Sequence, residues 1–294
     1  MHAPLLWCAA VALAVAVGAA LRARPGAAPA TGERVDVAAV ERGARRAAVF
    51  RLLGVIGGGV VALVMAGGAV GRLGLGIALA APAFALCLLA GVLAGEVAAT
   101  VPVGASRTAT LEVRTARRYL PRGLARWVGA LAAGLLVLLT ATSLSASPDD
   151  LGRAGRSFTL ACGPDRSVTA GPWPGSYYSL PIGVAVLVGL GAAALVAHTV
   201  ARRRRPASDP STLATDERAR RRSARVVTAA CGVLVAAPLA GCGLMAGAIL
   251  VQMPCLSGPM RMAGWASLVL ATVAGVSGCL FVADVATSGR RAVR

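Results

Sequence analysis

The chain has no lysine, only two histidines, few aromatic residues and little charge of any kind, and each shortage closes a line of function. Charged residues make up 14% and hydrophobic ones 57%, far from the roughly 25% charged content of soluble domains. A mean hydropathy of +0.73 makes lipid, not water, the expected solvent. His2 and His198 stand far apart, which excludes paired-histidine metalloprotease motifs. No pair among the seven cysteines has the spacing of a zinc ribbon or a redox motif. A Walker-type phosphate loop is missing too, because the many glycines lie inside apolar runs. A serine hydrolase needs a base beside its nucleophile, and the longest loop, residues 147–179, contains no histidine. All 30 basic residues are therefore arginine, a preference that, with the abundance of Ala, Gly and Val, reflects GC-rich coding more than function. No catalytic motif remains, and neither an enzyme nor a cofactor is expected.

What the chain does have is apolar length. Seven blocks, at about 5–21, 52–71, 73–95, 127–146, 180–200, 226–251 and 265–285, suffice to cross about 30 Å of hydrocarbon as helices. They show no alternation of apolar and polar residues, as a strand barrel would, and a helix satisfies its backbone groups internally. The expected fold is an all-α polytopic transmembrane helix bundle of about seven spans, with residues 1–294 forming a single membrane domain.

The arginines then orient the bundle, because basic residues resist translocation and stay cytoplasmic. Segments 22–51, 96–126 and 201–225, with the tail after 285, hold 25 of them. The opposite side has five: Arg72, Arg153, Arg156, Arg166 and Arg261. This asymmetry predicts an N-terminus outside, a C-terminus in the cytoplasm and an external loop at 147–179. It also accounts for most of the net charge of +18 as a topology signal, so nucleic acid is not an expected partner. A cleaved signal peptide in place of the first span would invert every later helix and put the arginine-rich segments outside. It would also lack a charged leader, since only His2 precedes the block, so a retained first span is expected.

Past that span, three hairpins are expected, at 52–95, 127–200 and 226–285. Their lead-ins RRAAVFRLLG, PRGLARWVGA and RRSARVVTAA look alike, although arginine before any inward-starting span has the same look. Glycines four residues apart, such as Gly54 with Gly58, Gly67 with Gly71, Gly91 with Gly95 and Gly243 with Gly247, predict close helix packing. Pro82 and Pro238 lie inside spans and predict kinks.

Several residues stand out from this apolar background. Thr215, Asp216 and Glu217 have the chemistry of a helix start, which puts Arg218, Arg221, Arg222 and Arg225 on one face suited to anionic lipid headgroups or an acidic protein partner. The stretch from Arg107 to Leu124 predicts a short amphipathic helix with Arg114, Arg117 and Arg118 on its basic side. It either lies on the membrane or, in a permease-like subunit, couples the bundle to a cytoplasmic ATPase. Ser147, Pro148, Asp149 and Asp150 match a helix N-terminus. Trp173, Tyr177 and Tyr178 suit the headgroup layer, or a stacking surface for a ligand.

Carboxylates are nearly absent within the spans. Glu96, His198 and Asp284 fall at the cytoplasmic ends, where pairing with arginine is expected. Cys231 and Cys242 read as small buried hydrophobes. Cys162 and Cys255 are the only cysteines this topology places outside, in an oxidising setting, and they are the candidate disulfide. In the chain-entropy model, closing a loop of about ninety residues contributes up to roughly 4 to 5 kcal/mol.

The RTA and YLPR elements, the SPDDLGRAGR start of the external loop and the GPWPGSYY run together resemble a group of uncharacterised actinobacterial integral membrane proteins, over about residues 95–250. The resemblance implies a bacterial plasma-membrane location and carries no activity and no functional residue. The expectation is a multi-pass plasma-membrane protein acting without catalysis as an accessory or scaffold component. The alternative is a transporter or permease-like subunit that uses residues 107–124 as its coupling segment.

Overall fold

A computed structural model describes residues 37–67, 73–98, 119–202 and 210–287. Among them are six helices: α1 (Val37–Ala66), α2 (Leu75–Ala98), α3 (Arg122–Leu144), α4 (Ser176–Arg202), α5 (Pro210–Gln252) and α6 (Gly258–Thr287). Each contains a stretch long and apolar enough to cross a membrane, and these six correspond to the second to seventh expected blocks. The first expected span, at about 5–21, lies outside the described residues, as do Arg114, Arg117 and Arg118.

The helices outrun their apolar blocks. α1 begins at Val37, well inside the arginine-bearing lead-in, and α5 begins at Pro210, five residues before the start that Thr215 suggests. Proline is tolerated at the first helical position, where its missing N–H would have no partner anyway. At about 1.5 Å per residue, the 43 residues of α5 make a rod about twice the thickness of the hydrocarbon. α2 and α5 continue through Pro82 and Pro238.

α1 packs antiparallel to α2 along a glycine seam. A Cβ on Gly54 would stand 3.1 Å from the Gly91 Cα, and one on Gly91 would meet the Phe50 carbonyl oxygen at 2.6 Å. Such contact lets dispersion act between backbones where lipid competes equally with side chains. α5 and α6 meet the same way: a Cβ on Gly247 would lie 2.8 Å from the Gly264 carbonyl oxygen.

α3 and α4 run in opposite directions, as the expected second hairpin requires, but they pack less on each other than on their other neighbours. α3 packs mainly on α5, and α4 mainly on α2 and α5, with little contact between α3 and α4. Few residues separate α1 from α2 and α5 from α6, which keeps each pair in contact, whereas the long connection between α3 and α4 leaves them free to splay around α5. α5 is accordingly the core: Val226, Ala229, Ala230, Leu234, Val235, Ala236 and Leu239 are fully buried.

The all-α expectation needs one addition. Between α3 and α4, β1 (Phe158–Gly163) and β2 (Arg166–Ala170) pair antiparallel, with Phe158 opposite Ala170 and Leu160 opposite Val168. The Thr159 and Thr169 hydroxyls meet across the ladder at 3.0 Å.

Candidate functional site

The helices alternate in direction, so the molecule has two polar ends. At the arginine end gather the starts of α1, α3 and α5 and the ends of α2, α4 and α6. At the loop end gather the α1–α2 turn, the β-hairpin segment and the α5–α6 turn.

The arginine end is built around Glu96, only 2% exposed near the end of α2. Arg51 of α1 donates through Nη2 to Glu96 Oε1 at 2.8 Å. The Ser223 hydroxyl of α5 donates to Glu96 Oε2. One carboxylate thus ties three helices at a single depth, and Arg222 lies beside the same pair. Arg51 Nε is buried without a hydrogen-bond partner among the described residues. A second pair joins α5 to α6, with Arg225 Nε donating to Asp284 Oδ2 at 2.8 Å. Glu96 and Asp284 therefore both pair with arginine at the span ends, whereas His198 is exposed.

The four arginines expected to share one face of α5 differ in role. Arg222 faces the Glu96 cluster, Arg225 holds Asp284, Arg221 pairs with Glu217 one turn earlier at 3.2 Å, and Arg218 is exposed. Of the four, Arg225 makes a contact between helices, while Arg218 and Arg221 are exposed. Arg220, 3% exposed, is the buried member of this run. Hydropathy cannot single it out among Arg218, Arg221 and Arg222; only its helical phase, opposite to theirs, separates it.

At the loop end, Ser147–Asp150 is not a helix start. Ser147 pairs with Ser157 as an isolated bridge, and Asp149 organises a turn. Asp149 Oδ1 accepts from the Leu151 N–H at 3.1 Å and the Arg153 N–H at 2.8 Å. Its other oxygen accepts from Arg153 Nε at 2.8 Å and from Arg156 Nη1. The chemistry that favours an aspartate at a helix cap, a short side chain accepting from nearby backbone N–H groups, serves a turn equally well. Burial alone would raise the Asp149 carboxyl, but the hydrogen bonds from Arg153 and Leu151 hold it below its usual value.

Trp173 and Tyr178 are not headgroup anchors. Trp173 is 3% exposed, stacks on Phe158 with ring centres 4.8 Å apart, and donates its indole N–H to the Thr142 carbonyl at 2.8 Å. Tyr178 is buried and donates to the Leu73 carbonyl at 2.7 Å, which fastens the segment to the α1–α2 turn. The guanidinium of Arg156 lies 5.2 Å from the ring centre of Tyr177. Rings packed this way are spent on folding the segment and leave no open stacking face for a ligand at Trp173.

The candidate disulfide residues come together in space. The Cys162 sulfur is 3.9 Å from the carbonyl oxygen of Pro254, the residue before Cys255, and both cysteines are unbonded here. Cys231 and Cys242 are buried in α5. Among the described residues, no three His, Cys, Asp or Glu side chains gather to hold a metal ion. Compared with known families, curated proteins and solved structures, the chain matches none.

Proposed function

We propose that this chain is a multi-pass protein of the bacterial plasma membrane that works without catalysis, as an accessory or scaffold component. Its N-terminus lies outside and its C-terminus in the cytoplasm, in accord with the arginine asymmetry. The arginine end then faces anionic headgroups or an acidic protein partner, with Arg218 and Arg221 as its outward charges.

One observation carries this reading: the buried charges of the described helices, Arg51, Glu96 and Arg220, all sit at the arginine end. The middle of the bundle is packed with Val, Leu, Ala and Gly. Placing charge deep in lipid is costly and marks ion and proton pathways when it occurs. Here Arg51 and Glu96 join α1 to α2 where their spans end.

Reconstitution tests the proposal. In nanodiscs, thermal stability should rise with the fraction of phosphatidylglycerol, and Arg218→Ala with Arg221→Ala should remove the rise. Solute flux through proteoliposomes containing the pure chain would overturn the reading in favour of a transporter.

A further inference from the structure

We propose that Cys162 and Cys255 are a redox pair whose disulfide staples the β-hairpin to the α5–α6 turn. The inference rests on the topology above, which puts both residues outside.

Cys162 lies on the inward face of β1, in phase with Phe158 and Leu160. The register skips it: Ala161 faces Ser167 and Gly163 faces Arg166, so Cys162 is the extra residue of a β-bulge. Bulges release one residue from the ladder and re-aim its side chain. This one sends the Cys162 sulfur to the Pro254 carbonyl, 92 residues away in sequence. Cys255 follows at φ 62, a left-handed backbone that a side-chain-bearing residue keeps only where its surroundings fix it. Two separate local departures from regular structure therefore meet where the Cys162 sulfur reaches the carbonyl of Pro254, the residue before Cys255.

The two thiols are unequal. Cys255 is exposed and Cys162 half-buried. The hydrogen bond with Cys255, then burial, pushes the Cys162 thiol up. Cys255, as its thiolate, attacks one sulfur of an oxidised dithiol donor of the thiol–disulfide oxidoreductase class, and the donor's other sulfur leaves as a thiolate. Cys162 then loses its proton and attacks the Cys255 sulfur of the mixed disulfide, releasing the second donor thiolate. The pair gives up two electrons and two protons, and the donor disulfide gains them as two thiols.

The closed bond would join the β-hairpin segment to the α5–α6 turn, while Tyr178 already ties that segment to Leu73 before α2. All three connections of the loop end would then move as one body.

The test uses full-length protein in intact cells, blocked with an impermeant maleimide before lysis and analysed by peptide mass spectrometry. Wild-type protein should yield a joined peptide containing Cys162 and Cys255, convertible to two free peptides by reductant. Cys162→Ser should leave Cys255 labelled from outside. Free labelling of both wild-type thiols overturns the bond while leaving the topology intact. Failure to label Cys255 in Cys162→Ser, with the protein folded by size exclusion, overturns the topology and the bond with it. Oxidised glutathione applied to purified, reduced protein should close the same bond, and failure to do so also overturns the proposal.

Discussion

The two polar ends of the molecule each centre on one carboxylate and its arginines, yet they use it differently. Glu96 joins residues 45 and 127 positions away, from α1 and α5, and is almost fully removed from solvent. Asp149 reaches only Leu151, Arg153 and Arg156, all within seven residues, and shapes one turn. Tertiary cohesion at the loop end comes instead from aromatic rings and backbone carbonyls: Trp173 on Thr142 and Tyr178 on Leu73. A charge pair between helices is worthwhile where water is scarce and geometry is fixed by rods. A charge pair within a turn organises the backbone and leaves packing to the rings.

The contrast is broken most directly at Glu96. Glu96→Ala leaves Arg51 buried without its partner, and removal of one member of a buried pair costs about 3–5 kcal/mol. Thermal unfolding in mild detergent should show the largest loss of any single change at the arginine end. Replacing both partners, Arg51→Met with Glu96→Leu, should cost less than Glu96→Ala alone, because Arg51 is no longer left as a buried charge without its partner. Equal losses would mean that the charge pair is not what holds α1 to α2 at this end.

Next comes the seam beside that pair. Gly91→Val would set its Cβ against the Phe50 carbonyl at the 2.6 Å approach, so α1 and α2 must separate. Overpacking of this kind costs about 1–3 kcal/mol, and it should appear as a lower unfolding temperature with the loop end still protected from protease. Gly57, whose added Cβ meets nothing within 4 Å, should accept alanine with little change.

At the loop end, acid should separate the two carboxylate designs. The Asp149 carboxyl is lowered in the folded state relative to its ordinary 3.8, so its contribution is complete above that value. It is lost as pH falls through the lower, folded value. Protease cleavage of residues 147–157 should therefore increase as pH is lowered below about 4, with an acid-active protease, and Asp149→Asn should be cleaved readily at neutral pH as well. The smallest effect belongs to Arg221→Ala. Its exposed pair with Glu217 contributes about 0.3–0.5 kcal/mol, and added salt should erase the difference from wild type.

Much of this arrangement is legible in the sequence because bilayer thickness imposes a length that few soluble elements reach. The six described spans, the glycine seam and the arginine partners of Glu96 and Asp284 follow from block length, four-residue spacing and the cost of burying charge. Helix starts are not legible in the same way, since hydropathy registers composition while a helix persists as long as its hydrogen bonds do. Val37 and Pro210 therefore lie far outside the apolar blocks. The β-hairpin had a weak local signal: Phe158, Leu160 and Cys162 alternate with Thr159 and Ala161, and Gly163, Pro164 and Asp165 offer a turn. Six residues of alternation among long apolar runs are easily passed over. The buried state of Trp173 depends on Thr142 and Phe158, contacts that no local pattern encodes.

The proposed orientation puts the arginine end in the cytoplasm and the hairpin outside. Paired reporters measure this directly: alkaline phosphatase fused after Arg294, and separately a short epitope inserted between Pro164 and Asp165 in the hairpin turn. The account predicts an inactive C-terminal phosphatase and an epitope that antibody reaches on spheroplasts without permeabilisation. An active C-terminal phosphatase, together with an epitope reached only after permeabilisation, would contradict it.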